Sequence, residues 1–168
     1  MSGFPSLQPA FTVQVAIDAP FAVGSASRGT SLQVVPMTGG TLKTAPGYSL
    51  NIDSEFVGVG NDYIKADGDG EHVRLNAHGV LKTHDGALLY LSYTGVVALG
   101  PAEKAVFSGT AENGATAYGN SFTHFVFETG DQRYKALENS VFVGQGHFIT
   151  EKGKPTIVEY TVSQVIKG

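Results

Sequence analysis

The stretch HVRLNAHGVLKTHDGALLYLSYTGVV, residues 72–97, decides how this chain reads. Two alternating runs flank Asp85-Gly86, a short-range hairpin signal between strands of period two. Two registers are open. A two-residue turn pairs His84 with Ala87 and sets His78 opposite Tyr93. A three-residue turn, with Gly86 in the left-handed region, pairs Thr83 with Ala87. The second register gathers Val73, Leu75, Ala77, Leu81, Leu89, Leu91 and Val97 on one face. The other face then carries Arg74, Asn76, His78, Tyr90, Ser92 and Thr94. Separation of apolar from polar side chains is what fixes register, so the three-residue turn is expected.

The same period runs outward in both directions. Phe11, Val13, Val15 and Ile17 alternate with Thr12, Gln14 and Ala16, as in a half-buried strand. Leu32 to Leu42 is a second strand, interrupted by Pro36 and Gly39-Gly40, which suit a bulge. Pro46-Gly47 is a turn, and Tyr48 to Val57 precedes the glycine-rich bend Gly58-Val59-Gly60. Asp67-Gly68-Asp69-Gly70 is a further turn. Gly100 to Gly119 has little pattern and reads as a loop or edge. Ser121 to Glu128 is a strand with aromatics on both faces. Gln132 to Glu138 carries Tyr134 and Leu137 at i and i+3, one short helical turn. Val141 to Ile149 and Thr156 to Ile166 are the last strands, with Val158, Tyr160, Val162 and Ile166 sharing a face.

Eight to ten short-linked strands with almost no helix predict an all-β chain, a single antiparallel β-barrel domain over residues 1–168. A barrel of eight or so strands is wide enough for one small ligand. A β-sandwich is the alternative architecture. The 168-residue length supplies one full core without a staple. The 22 glycines among only 7 prolines suit tight turns and strand kinks. Large apolar groups on both faces of several strands lead us to expect a homo-oligomer.

Composition removes several function classes. The chain has no cysteine, which excludes disulfides, thiolate nucleophiles and cysteine-held metals. Net charge is −4 and no Lys/Arg cluster occurs, so a nucleic-acid footprint is missing. Met1 to Ala10 has neither a basic region nor a long apolar run, and no stretch has the length of a membrane span. A cytoplasmic protein without membrane or nucleic-acid partners is expected. His72, His78 and His84 are spaced by six, roughly 20 Å along one strand, which a single metal does not bridge. Gly58-Val59-Gly60 opens no helix, so it is not a dinucleotide fingerprint. Asp67, Asp69 and Glu71 lack the downstream glutamate of a calcium loop. No metal and no cofactor are expected.

A polar set remains. Arg74, Asn76, His78 and Tyr90 share a face, and Asp62 and Tyr63 follow the glycine-rich bend. Inside a small barrel these groups lose water, which suits proton transfer. Outside, they are the solvent face of a sheet. The pattern leaves both placements open.

Several motifs occur in order: Pro36-Met37-Thr38-Gly39-Gly40-Thr41, Gly60-Asn61-Asp62-Tyr63, Leu75-Asn76-Ala77-His78-Gly79, Thr83-His84-Asp85-Gly86-Ala87-Leu88-Leu89-Tyr90, Phe127-Glu128-Thr129-Gly130, and Leu137-Glu138-Asn139-Ser140-Val141-Phe142-Val143-Gly144. Together, from about Pro9 to the C-terminus, they resemble the domain of unknown function 3237. The family pattern has Asp-Trp at Asp62-Tyr63 and Leu-Asp-Ala-Arg-Tyr at Leu75 to Gly79, so Asn76, His78 and Gly79 depart from it. The resemblance implies a β-barrel. The departures look more like fungal members, one of which is a hydroalkoxylation cyclase of phenalenone polyketide biosynthesis.

That likeness implies a cofactor-independent cyclase closing a phenol onto a prenyl-type alkene to give a dihydrobenzofuran. On this reading Asp62 is the acid, and His78 or His124 takes the phenolic proton. Tyr90 and Asn76 orient a small aromatic or prenylated substrate. Tyr63, Tyr93, Phe122, Phe125 and Phe142 supply walls, and Arg74 completes the polar row. Two other classes stay open: a non-catalytic carrier of a small apolar ligand, which needs only the cavity, and a structural protein with a filled barrel.

Overall fold

The computed structural model describes residues 3–168; Met1 and Ser2, part of the stretch read for a leader, lie outside them. In chain order the elements are β1 Ser6–Ile17, β2 Phe21–Ala22, β3 Leu32–Thr44, β4 Asp53–Ala66, β5 His72–Thr83, β6 Leu88–Ala98, α1 Pro101–Ser108, β7 Gly114–Ala115, β8 Ser121–Glu128, a 3-10 helix Gln132–Asn139, β9 Phe142–Thr150 and β10 Thr156–Ile166. The eight long strands run β1-β10-β9-β8-β6-β5-β4-β3, and β3 pairs back onto β1. The sheet therefore closes into an antiparallel barrel, not a sandwich. Closure leaves no exposed sheet edge along these strands. The two-residue strands β2 and β7 are additions, on β3 and β9.

The β5–β6 hairpin has the three-residue turn. Leu81 pairs with Leu89 and Lys82 with Leu88, the Thr83 N–H donates to the Ala87 carbonyl, and Gly86 has φ +90°. Val73, Leu75, Ala77, Leu81, Leu89, Leu91 and Val97 all point into the core. The polar row of the same hairpin is consequently on the outer wall. On β10, Val158, Tyr160 and Val162 face inward, but Ile166 does not: the strand reaches its end there and leaves the side chain exposed.

The region from Gly100 to Gly119 is not a plain loop. It holds α1, which starts on Pro101 and ends on left-handed Gly109. Eight residues are too few for a helical period to stand out in the sequence. Val106 and Phe107 pack toward the barrel, Phe107 edge-on to Phe148. Glu103 is buried and accepts a hydrogen bond from Asn120 Nδ2 at 3.0 Å, which ties α1 to the start of β8.

Each barrel end carries one short helix. The 3-10 helix closes one end with buried Tyr134 and Leu137. Beneath it Phe11, Phe127 and Phe142 meet with ring centroids 5.0–5.5 Å apart. At the α1 end the interior is not filled. Among the described residues no helix is long and apolar enough to cross a membrane.

Candidate functional site

A cavity of about 460 Å³ opens at the α1 end of the barrel. This falls in the size range of small-molecule sites. Its rim is formed by residues 18–20, the end of α1, and the β9–β10 turn at 154–156. Its walls are inward-facing groups of the long strands. Val35, Ile64, Leu75 and Val158 make them mostly apolar.

Among the described residues Asp62 is the one carboxylate on those inner walls, and the reason lies in β4. Val57 pairs with Val80 but Asn61 pairs with His78, so β4 advances four residues while β5 advances two. The two extra residues fall in Gly58-Val59-Gly60. They bend the wall yet keep the alternation in phase, so Asp62 lies on the inner face with Ser54 and Ile64. Only 6% of Asp62 is exposed. Loss of water pushes its pKa from 3.8 up to about 6, although an N–H bond from Asn76 pulls the other way. At neutral pH most of this carboxyl is ionised and a minor fraction carries its proton.

Tyr93 of β6 and Tyr160 of β10 form the polar part of the cavity floor. Their rings lie 5.2 Å apart and both pack on Phe125, at 4.9 and 5.4 Å. Burial raises both phenols well above their usual range, and the Asp62 charge adds to the rise. Both are therefore neutral hydroxyls, and the two couple to one another. The neighbouring strand makes room for Tyr160: its ladder partner on β9 is Gly146, where a Cβ would sit 2.6 Å from the Tyr160 ring. One carboxyl and two neutral hydroxyls in an apolar chamber can exchange a proton and hold an oxygen-bearing ring.

Of the eleven residues singled out from sequence, only Asp62 and Tyr93 line this cavity, with Phe125 packed behind its two tyrosines. Asn76, His78 and Tyr90 are together, but on the outer wall. There His78 Nδ1 meets the Tyr90 hydroxyl at 2.6 Å, and His78 Nε2 meets Asn76 Oδ1 at 2.8 Å. Tyr63 lies beside them, its ring 6.2 Å from that of His78. Arg74, also outside, forms a 2.7 Å ion pair with Asp67. His124 is exposed on β8, and Phe122, 58% exposed, shares an outer groove with it. Phe142 is fully buried at the opposite, filled end of the barrel. Neither histidine can take a proton from a molecule inside the cavity, because the barrel wall intervenes. Tyr160, which the sequence pattern places on the apolar face of β10, also lines the cavity. The available signal was a tyrosine between Val158 and Val162, since a buried phenol hydroxyl calls for a polar partner.

Asp67, Asp69 and His72 bring three ligand atoms within 4.8 Å of one another in the β4–β5 turn. Asp67 is already engaged by Arg74 in a bidentate pair, so this cluster reads as a charged turn.

A family model described as Protein of unknown function (DUF3237) matches residues 5–165. No curated protein matches the chain. Solved structures do. A conserved protein of unknown function from Rhodopseudomonas palustris is 23% identical, with a TM-score of 0.77 over 97% of this chain and 99% of that one. A β-barrel-like protein from Acinetobacter baumannii is 25% identical, with a TM-score of 0.71 over 96% of each chain. An enzyme from Penicillium herquei is 17% identical, with a TM-score of 0.62 over 96% of this chain and 94% of that one. These likenesses agree on the barrel.

Proposed function

We propose that this chain, which belongs to the DUF3237 family, is a cofactor-independent cyclase that closes a phenol onto a prenyl-type alkene. The observation that carries the reading is Asp62: one carboxyl, with a pKa of about 6, inside an apolar cavity floored by two neutral tyrosine hydroxyls. The fold it shares with a Penicillium herquei enzyme adds support.

The reaction is redox-neutral and intramolecular. Asp62 gives its proton to the terminal alkene carbon and forms a C–H bond. The phenol oxygen attacks the inner alkene carbon, forming the C–O bond of the dihydrobenzofuran. The phenolic proton returns to the Asp62 carboxylate, so the catalyst is restored and no co-reactant is consumed. Asp62 thus takes both proton roles, replacing the base expected of His78 or His124. Proton transfer to carbon by a carboxylic acid is slow, so holding oxygen and alkene in contact supplies much of the rate. Tyr93 and Tyr160 orient the phenol oxygen as hydrogen-bond partners.

The test is incubation with an ortho-(1,1-dimethylallyl)phenol, whose ring closure at the inner carbon creates a stereocentre. One enantiomer is expected in excess from the native protein. Asp62→Asn is expected to keep substrate binding and lose roughly 100-fold or more in turnover. Racemic product at the background rate overturns the cyclase. Binding without turnover in the native protein and in every variant favours the carrier, since the apolar cavity alone accounts for it.

A further inference from the structure

We infer that Asn76 is a positioning residue for Asp62, anchored from outside the barrel by His78 and Tyr90 through a break in the β4–β5 ladder. The inference deepens the cavity site and rests on Asp62 being its working group.

The break is local. Pairing between β4 and β5 holds at Asp62 with Ala77 and at Lys65 with Arg74, but not between them, where Tyr63 and Ile64 face Asn76 and Leu75. The Asn76 N–H is not spent on the ladder. It donates to Asp62 Oδ1 at 2.9 Å. Among the described residues it is the one hydrogen-bond donor found on the Asp62 carboxylate. An amide turned out of a sheet costs a ladder bond, so something must hold Asn76 in place.

That hold is on the outer face. Asn76 and His78 are two residues apart on β5, hence on the same side. Asn76 Oδ1 can only accept, so His78 Nε2 carries the hydrogen and donates to it over 2.8 Å. His78 Nδ1 is then an acceptor, and the Tyr90 hydroxyl donates to it over 2.6 Å. The order of donation runs one way, Tyr90 to His78 to Asn76. Tyr90 sits on the neighbouring strand, where Val80 pairs with Tyr90 and His78 with Ser92. The imidazole thus bridges strands β5 and β6 and fixes the Asn76 side chain. The Asn76 backbone, with its N–H aimed inward, is fixed with it.

Asp18 and Lys154 stand at the cavity rim; the titratable groups facing Asp62 from the inner wall are Tyr93 of β6 and Tyr160 of β10, and both stay neutral through the range in which Asp62 titrates. Those facing His78 outside are Tyr63 of β4 and Tyr90 of β6. Loosening Asn76 removes a donor that favours the charged carboxylate. The ionisation of Asp62 is then expected to weaken by about threefold to tenfold.

The experiment follows the Asp62 carboxyl carbon by NMR as pH is varied, its signal assigned by its loss in Asp62→Asn. His78→Phe keeps the ring volume and deletes both outer hydrogen bonds; Tyr90→Phe deletes one. His78→Phe is expected to move the Asp62 midpoint upward, and Tyr90→Phe to move it in the same direction by less. Thr94→Val, beside them on the outer wall, is expected to leave it where it was. An Asp62 midpoint unmoved in both His78→Phe and Tyr90→Phe overturns the inference. If His78→Phe does not fold, the Tyr90→Phe titration decides alone. The readout needs no substrate, so it separates two failures. A midpoint that moves in a protein without cyclase activity keeps the positioning and removes the cyclase. An active enzyme whose midpoint ignores both variants does the reverse.

Discussion

At one end of the barrel the 3-10 helix sets Tyr134 and Leu137 onto Phe11, Phe127 and Phe142 and completes a close-packed aromatic core. At the other, α1 brings only Val106 and Phe107, and about 460 Å³ stays open beneath it. The same eight strands build both halves. What differs is which side chains occupy the alternating inward positions and how much apolar volume the capping helix delivers. The filled half pays for the hollow one: its packing supplies stability that a cavity containing a buried carboxyl takes away.

The largest expected effect tests the packing difference. Phe142→Ala, in the filled half, is expected to cost about 3–5 kcal/mol in urea-induced unfolding, as for a buried aromatic leaving a void. Val158→Ala removes a side chain that already borders open space, and is expected to cost much less. Equal losses would show that the halves do not differ in packing.

Next comes Asp62, where the hollow half should give stability back. The folded pKa is raised from 3.8 to about 6, so the carboxyl favours folding fully below pH 3.8, and that contribution is lost as pH rises through 6. A rise of this size corresponds to about 3 kcal/mol of destabilisation at pH 8. Asp62→Asn removes the charge at nearly constant shape. The variant is expected to be more stable than the native protein by about that amount at pH 8, with the gain vanishing below pH 4. Denaturation midpoints at pH 4 and pH 8 check it. A variant no more stable at pH 8 than at pH 4, relative to native, would mean that water reaches Asp62 freely.

The filled half was far more legible in the sequence than the hollow one. Alternation in residues 72–97, with Gly86 free to take φ +90°, set the hairpin register and with it the inward rows of β5 and β6. Period two names the two faces of a strand but not which one is inside when both carry polar groups, and this is why Asn76, His78 and Tyr90 could be grouped correctly yet left unplaced. Asp62 became inward because two extra residues at Gly58–Gly60 preserved the phase of β4, a count visible only against its partner strand. Tyr160 was hidden by its apolar neighbours, and α1 by its shortness. A cavity is the absence of side chains from a volume, and no single segment of sequence contains that information.

Filling the hollow is the next test in size. Val158→Phe points a ring into the cavity, where it has room that a close-packed core would deny it. Affinity for an ortho-allylphenol is expected to fall at least about tenfold, roughly 1.4 kcal/mol, with little change in unfolding midpoint. The same probe should bind normally to Phe122→Ala, whose ring lies on the outer groove. Loss of binding in Phe122→Ala but not in Val158→Phe would move the ligand to the outer wall.

The smallest effect concerns what holds the lid of the hollow half. His147 of β9 has both ring nitrogens against oxygens at 3.0 Å, the Thr116 carbonyl and Glu159 Oε1. Tyr118 stacks on the imidazole with centroids 4.0 Å apart. Glu159 also accepts from Gln14 Nε2 at 2.6 Å. This cluster straps the segment after α1 to the outside of the barrel through polar groups, adding to the apolar contacts of Val106 and Phe107 on α1. The bond from Gln14, then that from His147, holds the Glu159 carboxyl below its ordinary value of 4.5. A depressed carboxyl contributes stability that is present above 4.5 and is lost as pH falls through its lowered folded value. The pair is only partly shielded from water, so Glu159→Gln is expected to cost no more than about 1 kcal/mol at pH 7, and less as the medium is acidified. Amide hydrogen exchange at Thr116 and Phe148, whose N–H groups donate to the Phe148 carbonyl and to Thr116 Oγ1 respectively, should quicken in that variant while Leu81 and Leu89 stay protected. Were the whole barrel to exchange faster together, the strap would belong to the global fold, and the contrast between a packed end and a separately latched one would fail there.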